Sequence, residues 1–285
     1  MENQNSVIPI VTAADENYAP YLSVMLTSVV ENNPENRPLC FYVIDDGLSK
    51  TSKRHLETVI SRKTNHATIQ FLTIDRNIYQ DFLVSDHITT TAYLRISLPK
   101  LLAGGPYDKI LYLDADVLCL ADVAELYDQP LNGNIVGAVI DVGEVNGLKR
   151  LIGDVDGYYF NSGVLLIDVI QWNAQAITEK TIDFLTIFND RIVYHDQDAL
   201  NAVLHGKWQP LHPRWNAQTA LIFNKFPAPD SHYQTWYQEC HLQPAIVHFT
   251  GHDKPWNTLV GHPYTQQYLT QLADNRMKKV GKVNG

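Results

Sequence analysis

Two aspartates, Asp114 and Asp116, directly follow an apolar run at residues 109–113. Carboxylates are hard oxygen ligands, and residues i and i+2 of an extended chain point to the same side. The pair can therefore converge on one divalent cation such as Mn²⁺ or Mg²⁺. Taken alone, an Asp-x-Asp triplet is more often a turn or a solvated strand edge. Its position after a predicted buried strand, where α/β proteins bind ligands, favours a metal site.

His248 is the candidate for a third metal ligand, within the apolar stretch at residues 245–249. A lone histidine in such a strand is usually a core residue with a hydrogen-bond partner. The residues that follow it favour a ligand instead, because Gly251 allows a close backbone approach and Lys254 supplies a point charge ahead of a proline. A metal ligand beside such a lysine is suited to a diphosphate bound through a bridging cation.

The first predicted strand ends in Thr-Ala-Ala-Asp-Glu-Asn-Tyr at residues 12–18. Its small Ala13 leaves room for a flat group against the backbone. Asp15 can accept a hydrogen bond from a ribose hydroxyl or a base N–H, as the acidic residue of nucleotide-binding folds does. Alternatively, Asp15 or Asn17 caps the helix that follows. From this segment alone, both interpretations stay open.

Two more polar clusters precede predicted elements: one contains Asn161, and the other is His-Asp-Gln-Asp at residues 195–198. Either cluster could simply cap the element that follows it, or it could bind a ligand. For Asp198 we predict capping alone. Arg95 lies in a helical pattern with mostly apolar neighbours. A partly buried arginine needs acidic partners, which the carboxylates of a metal site can supply.

The hydrophobic pattern predicts that these residues lie on an α/β fold. Short apolar runs alternate with helical periodicity, which indicates βαβ units and a mostly parallel, doubly wound central sheet with helices on both faces. The predicted strands cover residues 7–11, 39–44, 67–74, 109–113, 134–140 and 163–168. The predicted helices cover residues 21–30, 49–60 with Ser49 as N-cap, 176–188 and a segment around 199–204.

Residues 206–245 contain Pro, Trp, His and Tyr without clear periodicity, and we expect them to be rich in loops around the site. Neither an internal repeat nor a low-complexity linker divides the chain. We therefore expect a single domain over residues 1–265. Residues 266–285 are expected to form the end of a C-terminal helix and a basic tail.

The composition excludes several classes of protein. The 285 residues include 22 Lys+Arg and 31 Asp+Glu, a net charge of -9, which disfavours nucleic acid as a partner. The three cysteines are widely separated, so a disulfide framework is not expected. Apolar runs are too short to span a membrane, and no basic residue precedes Arg37. We expect a cytoplasmic protein, with at most weak contact of the tail after Arg276 at the inner face of a membrane.

Five motifs occur in order along the chain, between about Val7 and Trp256. They are Ala-Ala-Asp-Glu-Asn-Tyr at 13–18, Leu-Tyr-Leu-Asp-Ala-Asp at 111–116, Tyr-Phe-Asn-Ser-Gly-Val-Leu-Leu-Ile-Asp at 159–168, Asp-Gln-Asp-Ala-Leu-Asn at 196–201 and His-Phe-Thr-Gly-His-Asp-Lys-Pro-Trp at 248–256. Together they resemble glycosyltransferase family 8, whose members are retaining enzymes of the GT-A fold, the nucleotide-diphospho-sugar transferase fold.

The resemblance implies a role for each matched residue. Mn²⁺, or alternatively Mg²⁺, would be held by Asp114, Asp116 and His248. The uridine diphosphate would contact Ala13, Asp15, Asn17, Asp114, Ala115, Gly251 and Lys254, and the donor sugar would be surrounded by Arg95, Asn161, Asp196 and Gln197. Acceptor contacts vary within the family, and the candidates on that side are Thr250, His87 and Asp141.

The resemblance also implies an activity: metal-dependent transfer of galactose or glucose from a UDP-sugar to an oligosaccharide, glycolipid or glycoprotein glycan, with an α-linkage. Catalysis would involve Gln197, Asp196, Lys254 and Arg95. Two rival interpretations are a metal-dependent nucleotidyltransferase of similar fold and an inactive sugar-binding scaffold. The first would need a basic, Gly-rich loop near the first strand, where the chain has Ala13 and Asp15 instead. The second would usually have lost a metal ligand.

Overall fold

A computed structural model of the protein describes residues 7–34, 37–73 and 94–276. Its strands are β1 Ile8–Asp15, β2 Leu39–Asp46, β3 Ala67–Leu72, β4 Lys109–Leu113, β5 Val117–Cys119, β6 Val136–Ile140, β7 Phe160–Asp168, β8 Trp208–Pro210, β9 Ala217–Gln218 and β10 Ile246–His248. Its helices are α1 Ala19–Glu31, α2 Lys50–Ser61, α3 Leu98–Leu101, α4 Ala124–Tyr127, α5 Gly147–Ile152, α6 Val169–Ala174, α7 Ile177–Ile187, α8 His195–Val203, α9 Thr219–Ile222, α10 Ser231–Leu242 and α11 Thr265–Asn275.

The main sheet has seven strands in the order β3-β2-β1-β4-β7-β6-β8. Strands β3, β2, β1 and β4 run parallel, and β8 is parallel to β6. Only β7 is antiparallel to its neighbours β4 and β6. The prediction of a mostly parallel central sheet is therefore confirmed. Because β1 and β4 are adjacent and parallel, their carboxyl ends bring Asp15 and Asp114 to the same edge.

Helices cover both faces of this sheet, as predicted. Successive residues of a strand point to opposite faces, and Ile10 and Val11 of β1 belong to different cores. Ile10 packs in the core that α1 and α2 cover, whereas Val11 packs in the core that α6, α7 and α8 cover. Ser49 caps α2 by accepting a hydrogen bond from the Ser52 N–H at 3.0 Å, which confirms the predicted start of that helix.

A second, three-stranded sheet in the order β5-β10-β9 stands beside the first. The turn Asp114–Asp116 carries the chain from β4 of the main sheet into β5 of this small sheet. Strand β10 is antiparallel to β5, and their register pairs His248 with Val117, the residue that follows Asp116. The pairing of β5 with β10 thus brings together residues more than 130 positions apart along the chain.

Two sequence expectations differ from the structure. Asp114 and Asp116 do not lie in extended chain, because Ala115 and Asp116 form the turn between β4 and β5. Residues 206–245 are not mainly loops, since they contain α10, capped by Asp230. The buried face of α10 consists of Tyr233, Tyr237 and Cys240, a helical spacing that polar aromatic residues obscure.

Helix α11 is the last described element, and it packs against α1. Asn275 donates hydrogen bonds to the Ser23 carbonyl at 3.0 Å and to the Thr27 hydroxyl at 2.9 Å. The predicted boundary at residue 265 is not tested by these contacts and stays a prediction, and the tail from residue 277 onward lies outside the described residues. Over the described ranges, the helices are all too short or too polar to cross a membrane.

Candidate active site

A cavity of about 760 Å³ opens where the two sheets meet. All the described candidates from the sequence line it: Ala13, Asp15, Asn17, Arg95, Asp114, Ala115, Asp116, Asp141, Asn161, Asp196, Gln197, His248, Thr250, Gly251 and Lys254. The remaining candidate, His87, lies outside the described residues. Segments scattered over most of the chain therefore converge on one site.

Asp114, Asp116 and His248 form a compact cluster, with ligand atoms within 4.8 Å of one another. The Nε2 atom of His248 lies 3.3 Å from Oδ1 of Asp116 and 3.7 Å from Oδ2 of Asp114. Each aspartate is fixed through its backbone. The Asp114 N–H donates to the Gly163 carbonyl in the main sheet at 2.8 Å, and the Asp116 carbonyl accepts from the Phe249 N–H in the small sheet at 3.2 Å.

The surroundings of the cluster fit a divalent metal ion. Two carboxylates and one imidazole form a donor set that suits Mn²⁺. Oδ1 of Asp116 is buried and accepts no hydrogen bond from the described residues, although buried oxygens normally have a partner. A side chain at Gly163 would fill the space, since a Cβ atom there would lie 2.1 Å from Cε1 of His248 and 2.8 Å from Oδ2 of Asp114.

Lys254 lies at the edge of this cluster, in a buried position. Its ammonium group donates to Oδ2 of Asp116 at 2.6 Å and to the carbonyl of Phe249. Burial alone would raise the pKa of Asp116, but the positive charge of Lys254, together with the neighbouring His248, holds that pKa well below its usual range. The Asp116 carboxylate is therefore ionised and available as a metal ligand at neutral pH.

Arg95 joins the metal cluster to the opposite wall of the cavity. It starts a short 3-10 turn, Arg95–Ser97, and its guanidinium lies 3.2 Å from Oδ1 of Asp114 and 2.6 Å from Oδ2 of Asp196. It also donates to the Ser162 carbonyl at 2.8 Å and lies over the ring of Tyr112. The expected acidic partners of this partly buried arginine are confirmed.

Asp196 is buried, and burial raises its pKa to about 7, although the positive charge of Arg95 opposes the shift. The carboxyl therefore changes protonation state close to neutral pH. Its backbone neighbour His195 begins α8 with a φ of 52°, a conformation that residues with a side chain rarely adopt. Such strain at an active-site edge is maintained only by the surrounding packing.

Gln197 is held by hydrogen bonds on both sides of its amide. Oε1 accepts from the Ser162 N–H at 3.0 Å, and Nε2 donates to Oδ2 of Asp141 at 3.0 Å. The amide of Asn161 donates to the same Asp141 oxygen at 3.1 Å. Asp141, which the sequence suggests only as an acceptor-side residue, thus contacts two of the residues assigned to the donor sugar.

The helix cap that the sequence allows for Asp15 or Asn17 is not formed, because the N-cap of α1 is Tyr18 and no side chain makes a capping hydrogen bond there. Asp15, at the end of β1, instead closes the turn that precedes the helix. Its Oδ1 accepts a hydrogen bond from the Tyr18 N–H at 2.9 Å, in the turn before α1. Asn17 donates to the other carboxylate oxygen at 3.5 Å. Both side chains still line the cavity, so the turn also fixes where they face a ligand.

The prediction that Asp198 merely caps its helix is wrong. Its buried carboxylate accepts hydrogen bonds from both terminal nitrogens of Arg150, at 2.7 and 2.8 Å, and from the Tyr159 hydroxyl at 2.7 Å. Two backbone N–H groups, those of Val193 and Tyr194, complete its contacts. The residue therefore anchors the segment that leads into α8.

Sequence reasoning missed three residues that contact the metal cluster or its ligands. The Tyr112 hydroxyl donates to Oδ1 of Asp114 at 2.6 Å, Gly163 leaves open the space beside His248 and Asp114, and Asn216 contacts His248. Tyr112 and Gly163 lie within the motifs at residues 111–116 and 159–168, so the sequence offers a signal for both positions. Asn216 lies in the segment without periodicity, where the sequence offered none.

Comparisons with known proteins agree with this geometry. Residues 9–259 match the family model described as glycosyl transferase family 8. General stress protein A of Bacillus subtilis (strain 168) is 39% identical over 98% of this chain and 97% of its own length. The lipopolysaccharide 1,2-glucosyltransferase of Escherichia coli (strain K12) is 28% identical, over 97% of this chain and 80% of its own length.

Among solved structures, the galactosyltransferase LgtC in complex with donor and acceptor sugar analogues superimposes with a TM-score of 0.83. The two chains are 28% identical, and the match covers 95% of this chain and 98% of that one. This likeness confirms the GT-A fold that the motifs imply. The chain belongs to glycosyltransferase family 8.

Proposed function

We propose that this protein is a metal-dependent, retaining glycosyltransferase that moves galactose or glucose from a UDP-sugar to a glycan acceptor, forming an α-linkage. The observation that carries the proposal is the cluster of Asp114, Asp116 and His248, which opens into a cavity with Lys254 at its edge. Two carboxylates and an imidazole beside a lysine suit a metal-bound diphosphate. Relatives that transfer glucose or galactose to lipopolysaccharide support a hexose donor.

When bound, Mn²⁺ or Mg²⁺ would supply positive charge to the diphosphate of the donor. The other contacts come from the chain itself. Lys254 would exchange part of its contact with Asp116 for a phosphate oxygen and stabilise the leaving group. Asp15 and Asn17, at the end of β1, would bind the uridine, with Ala13 leaving room for the base. Gly251, at a φ of 86°, would let the backbone approach the diphosphate.

For the transfer step, we infer a front-face mechanism. The acceptor oxygen bonds to the anomeric carbon on the side from which the diphosphate leaves, and the departing phosphate oxygen takes the acceptor's proton. Gln197 would orient and stabilise the cationic sugar, because an amide is a poor nucleophile. Asp196 is paired with Arg95, and Asp141 is hydrogen-bonded to Gln197 and Asn161, so neither carboxylate is free to move to the anomeric carbon.

The same observations give less support to the two alternatives, a nucleotidyltransferase and an inactive sugar-binding scaffold. A nucleotidyltransferase would need basic groups for a triphosphate near β1, where Ala13, Ala14 and Asp15 line the cavity. An inactive scaffold would have no reason to keep a complete Asp-Asp-His cluster in which Oδ1 of Asp116 is buried and has no hydrogen-bond partner within residues 7–34, 37–73 and 94–276. The family itself also favours a transferase.

Release of UDP from UDP-galactose and UDP-glucose, with a glycan acceptor or with water, tests the proposal. We expect release with Mn²⁺ and none in excess EDTA. Gly163→Ala should abolish release, because its Cβ would occupy the space between His248 and Asp114. Gly137→Ala, on the neighbouring strand β6, is the matched control, since the atoms nearest to its Cβ would be methyl groups of Leu131 and Leu211, away from the cluster. Undiminished release in EDTA would refute metal dependence.

A further inference from the structure

A buried asparagine, Asn216, lies behind the cluster of Asp114, Asp116 and His248. It precedes β9 and is fully buried. Its side chain joins two others: Oδ1 is 2.9 Å from Nδ1 of His248, and Nδ2 is 2.9 Å from Oδ1 of Asn161. The contact is on the side of the imidazole ring opposite to the carboxylates.

The orientation of both amides follows from their neighbours. Oδ1 of Asn161 accepts a hydrogen bond from the backbone N–H of Gly163 at 3.0 Å, and a backbone N–H can only donate. Nδ2 of Asn161 faces a carboxylate oxygen of Asp141, which accepts. The group of Asn216 that meets Oδ1 of Asn161 must therefore be its NH₂. The carbonyl oxygen of Asn216 is left to face His248, so neither amide can be flipped without losing hydrogen bonds.

The tautomer of His248 follows in turn. An amide oxygen can only accept, so Nδ1 of His248 must carry a hydrogen. In the neutral ring, the lone pair is then on Nε2, the atom that lies 3.3 Å from Asp116 and 3.7 Å from Asp114. One backbone N–H, that of Gly163, thus determines through two asparagines which nitrogen of His248 is free to bind a cation.

We propose that Asn216 is a positioning residue of the metal site: it holds His248 in the Nδ1–H tautomer and aims Nε2 at the cation. The inference rests on the proposed function, because it assumes that a divalent metal binds at this cluster. Metal-binding histidines commonly donate their other N–H to a fixed acceptor, and loss of such an acceptor weakens metal binding about 10–100-fold.

Mn²⁺ binding to the otherwise ligand-free protein, measured by electron paramagnetic resonance, tests the inference without any assay of activity. Asn216→Ala removes the acceptor and should raise the Kd for Mn²⁺ about 10–100-fold. Asn216→Asp keeps an acceptor for the Nδ1–H and should leave the Kd close to that of the wild type, well below that of Asn216→Ala. Its lost hydrogen bond to Asn161 should lower the melting temperature instead. Asn275→Ala, a buried asparagine on α11, is the matched control and should leave the Kd unchanged.

Nitrogen-15 NMR of the metal-free protein at alkaline pH gives a second readout, since the chemical shifts of the ring nitrogens report which one is protonated. We expect Nδ1–H for His248 in the wild type and in Asn216→Asp, and loss of that preference in Asn216→Ala. An Nε2–H tautomer in the wild type, or unchanged Mn²⁺ affinity in folded Asn216→Ala, would overturn the inference. Failure of the wild type to bind Mn²⁺ would instead refute the proposed metal dependence, and the NMR result would still decide the tautomer.

Discussion

The charged side chains of the site are arranged so that each carboxylate already contacts a positive or polar group. Lys254 occupies one oxygen of Asp116, and Arg95 bridges Asp114 and Asp196. Buried charges are costly unless they are paired, so these contacts keep the cavity folded before any ligand enters. Oδ1 of Asp116 is left without a hydrogen bond from the described residues. A bound cation would therefore be stabilised most by contact with this oxygen.

Replacement of Lys254 separates its effect on the leaving group from its effect on the metal site. Lys254→Met should lower kcat about 100-fold, because a positive charge that stabilises the departing diphosphate is lost. Mn²⁺ affinity without donor should not weaken, since the competing ammonium on Asp116 is removed. Steady-state kinetics and Mn²⁺ titration measure the two effects. Lys149→Met, with a side chain 70% exposed, is the control. An unchanged kcat in Lys254→Met would exclude this role.

Gln197 distinguishes a front-face mechanism from a covalent one. Gln197→Ala should slow transfer about 100-fold yet keep the α-linkage, because the side chain orients and stabilises rather than bonds. Loss of an obligatory nucleophile would remove the covalent route altogether. Product NMR reports the linkage. Mass spectrometry of the wild type with donor alone should show no hexose on Gln197, and an adduct that forms as fast as turnover would contradict the mechanism.

At the scale of elements, the parts of the site that follow long apolar runs could be predicted from the sequence. The sequence predicts strand β4 and the aspartates that follow it, because burial on both faces of the sheet leaves a continuous apolar run. The small sheet could not be predicted, since β5, β9 and β10 have only two or three residues each. Their pairing is a tertiary contact, and it is this pairing that places His248 next to Asp116.

The segment between β10 and α11 provides a pH-dependent contribution to stability through His262. This ring is buried among Phe223, Phe249 and Tyr264, and Nε2 has no hydrogen-bond partner among the described residues. Burial lowers the pKa of His262 to about 4, below its ordinary value of 6.5. In the unfolded chain this histidine becomes protonated below about pH 6.5, whereas in the folded protein it stays neutral until about pH 4. The free energy of unfolding therefore decreases as the pH falls from about 6.5 to about 4.

We expect the free energy of unfolding of the wild type to fall between about pH 7.5 and about pH 4.5 by about 2–3 kcal/mol more than that of His262→Phe. Urea unfolding at both pH values measures the difference. His232→Phe, which changes a histidine on α10 in contact with Trp236, controls for the loss of one titrating ring. Parallel pH profiles for the wild type and His262→Phe would show that His262 is not the cause.

At the scale of the whole molecule, the cavity lies between two sheets whose strands alternate along the chain. The motifs could be predicted to meet, because the carboxyl ends of parallel strands share one edge. The identity of the donor hexose could not be predicted, since glucose and galactose differ only in the direction of one hydroxyl. Contacts such as those of Asp141 with Asn161 and Gln197 are set by side-chain geometry that no single segment encodes.

The balance of charge around the cavity predicts that metal and nucleotide bind together. Two cations, Arg95 and Lys254, line the cavity, so the site is not positive enough to attract a diphosphate alone. They face the acidic residues Asp15, Asp114, Asp116, Asp141 and Glu144, and also Asp196, whose pKa is about 7. A divalent cation reverses that balance. At 100 times Kd, UDP with Mn²⁺ should therefore raise the free energy of unfolding by about 2.7 kcal/mol and the melting temperature by several degrees. UDP in EDTA should raise the melting temperature little. Thermal unfolding with each ligand alone and with both measures this coupling. An equal shift by UDP with and without Mn²⁺ would show that the protein binds the nucleotide without the metal.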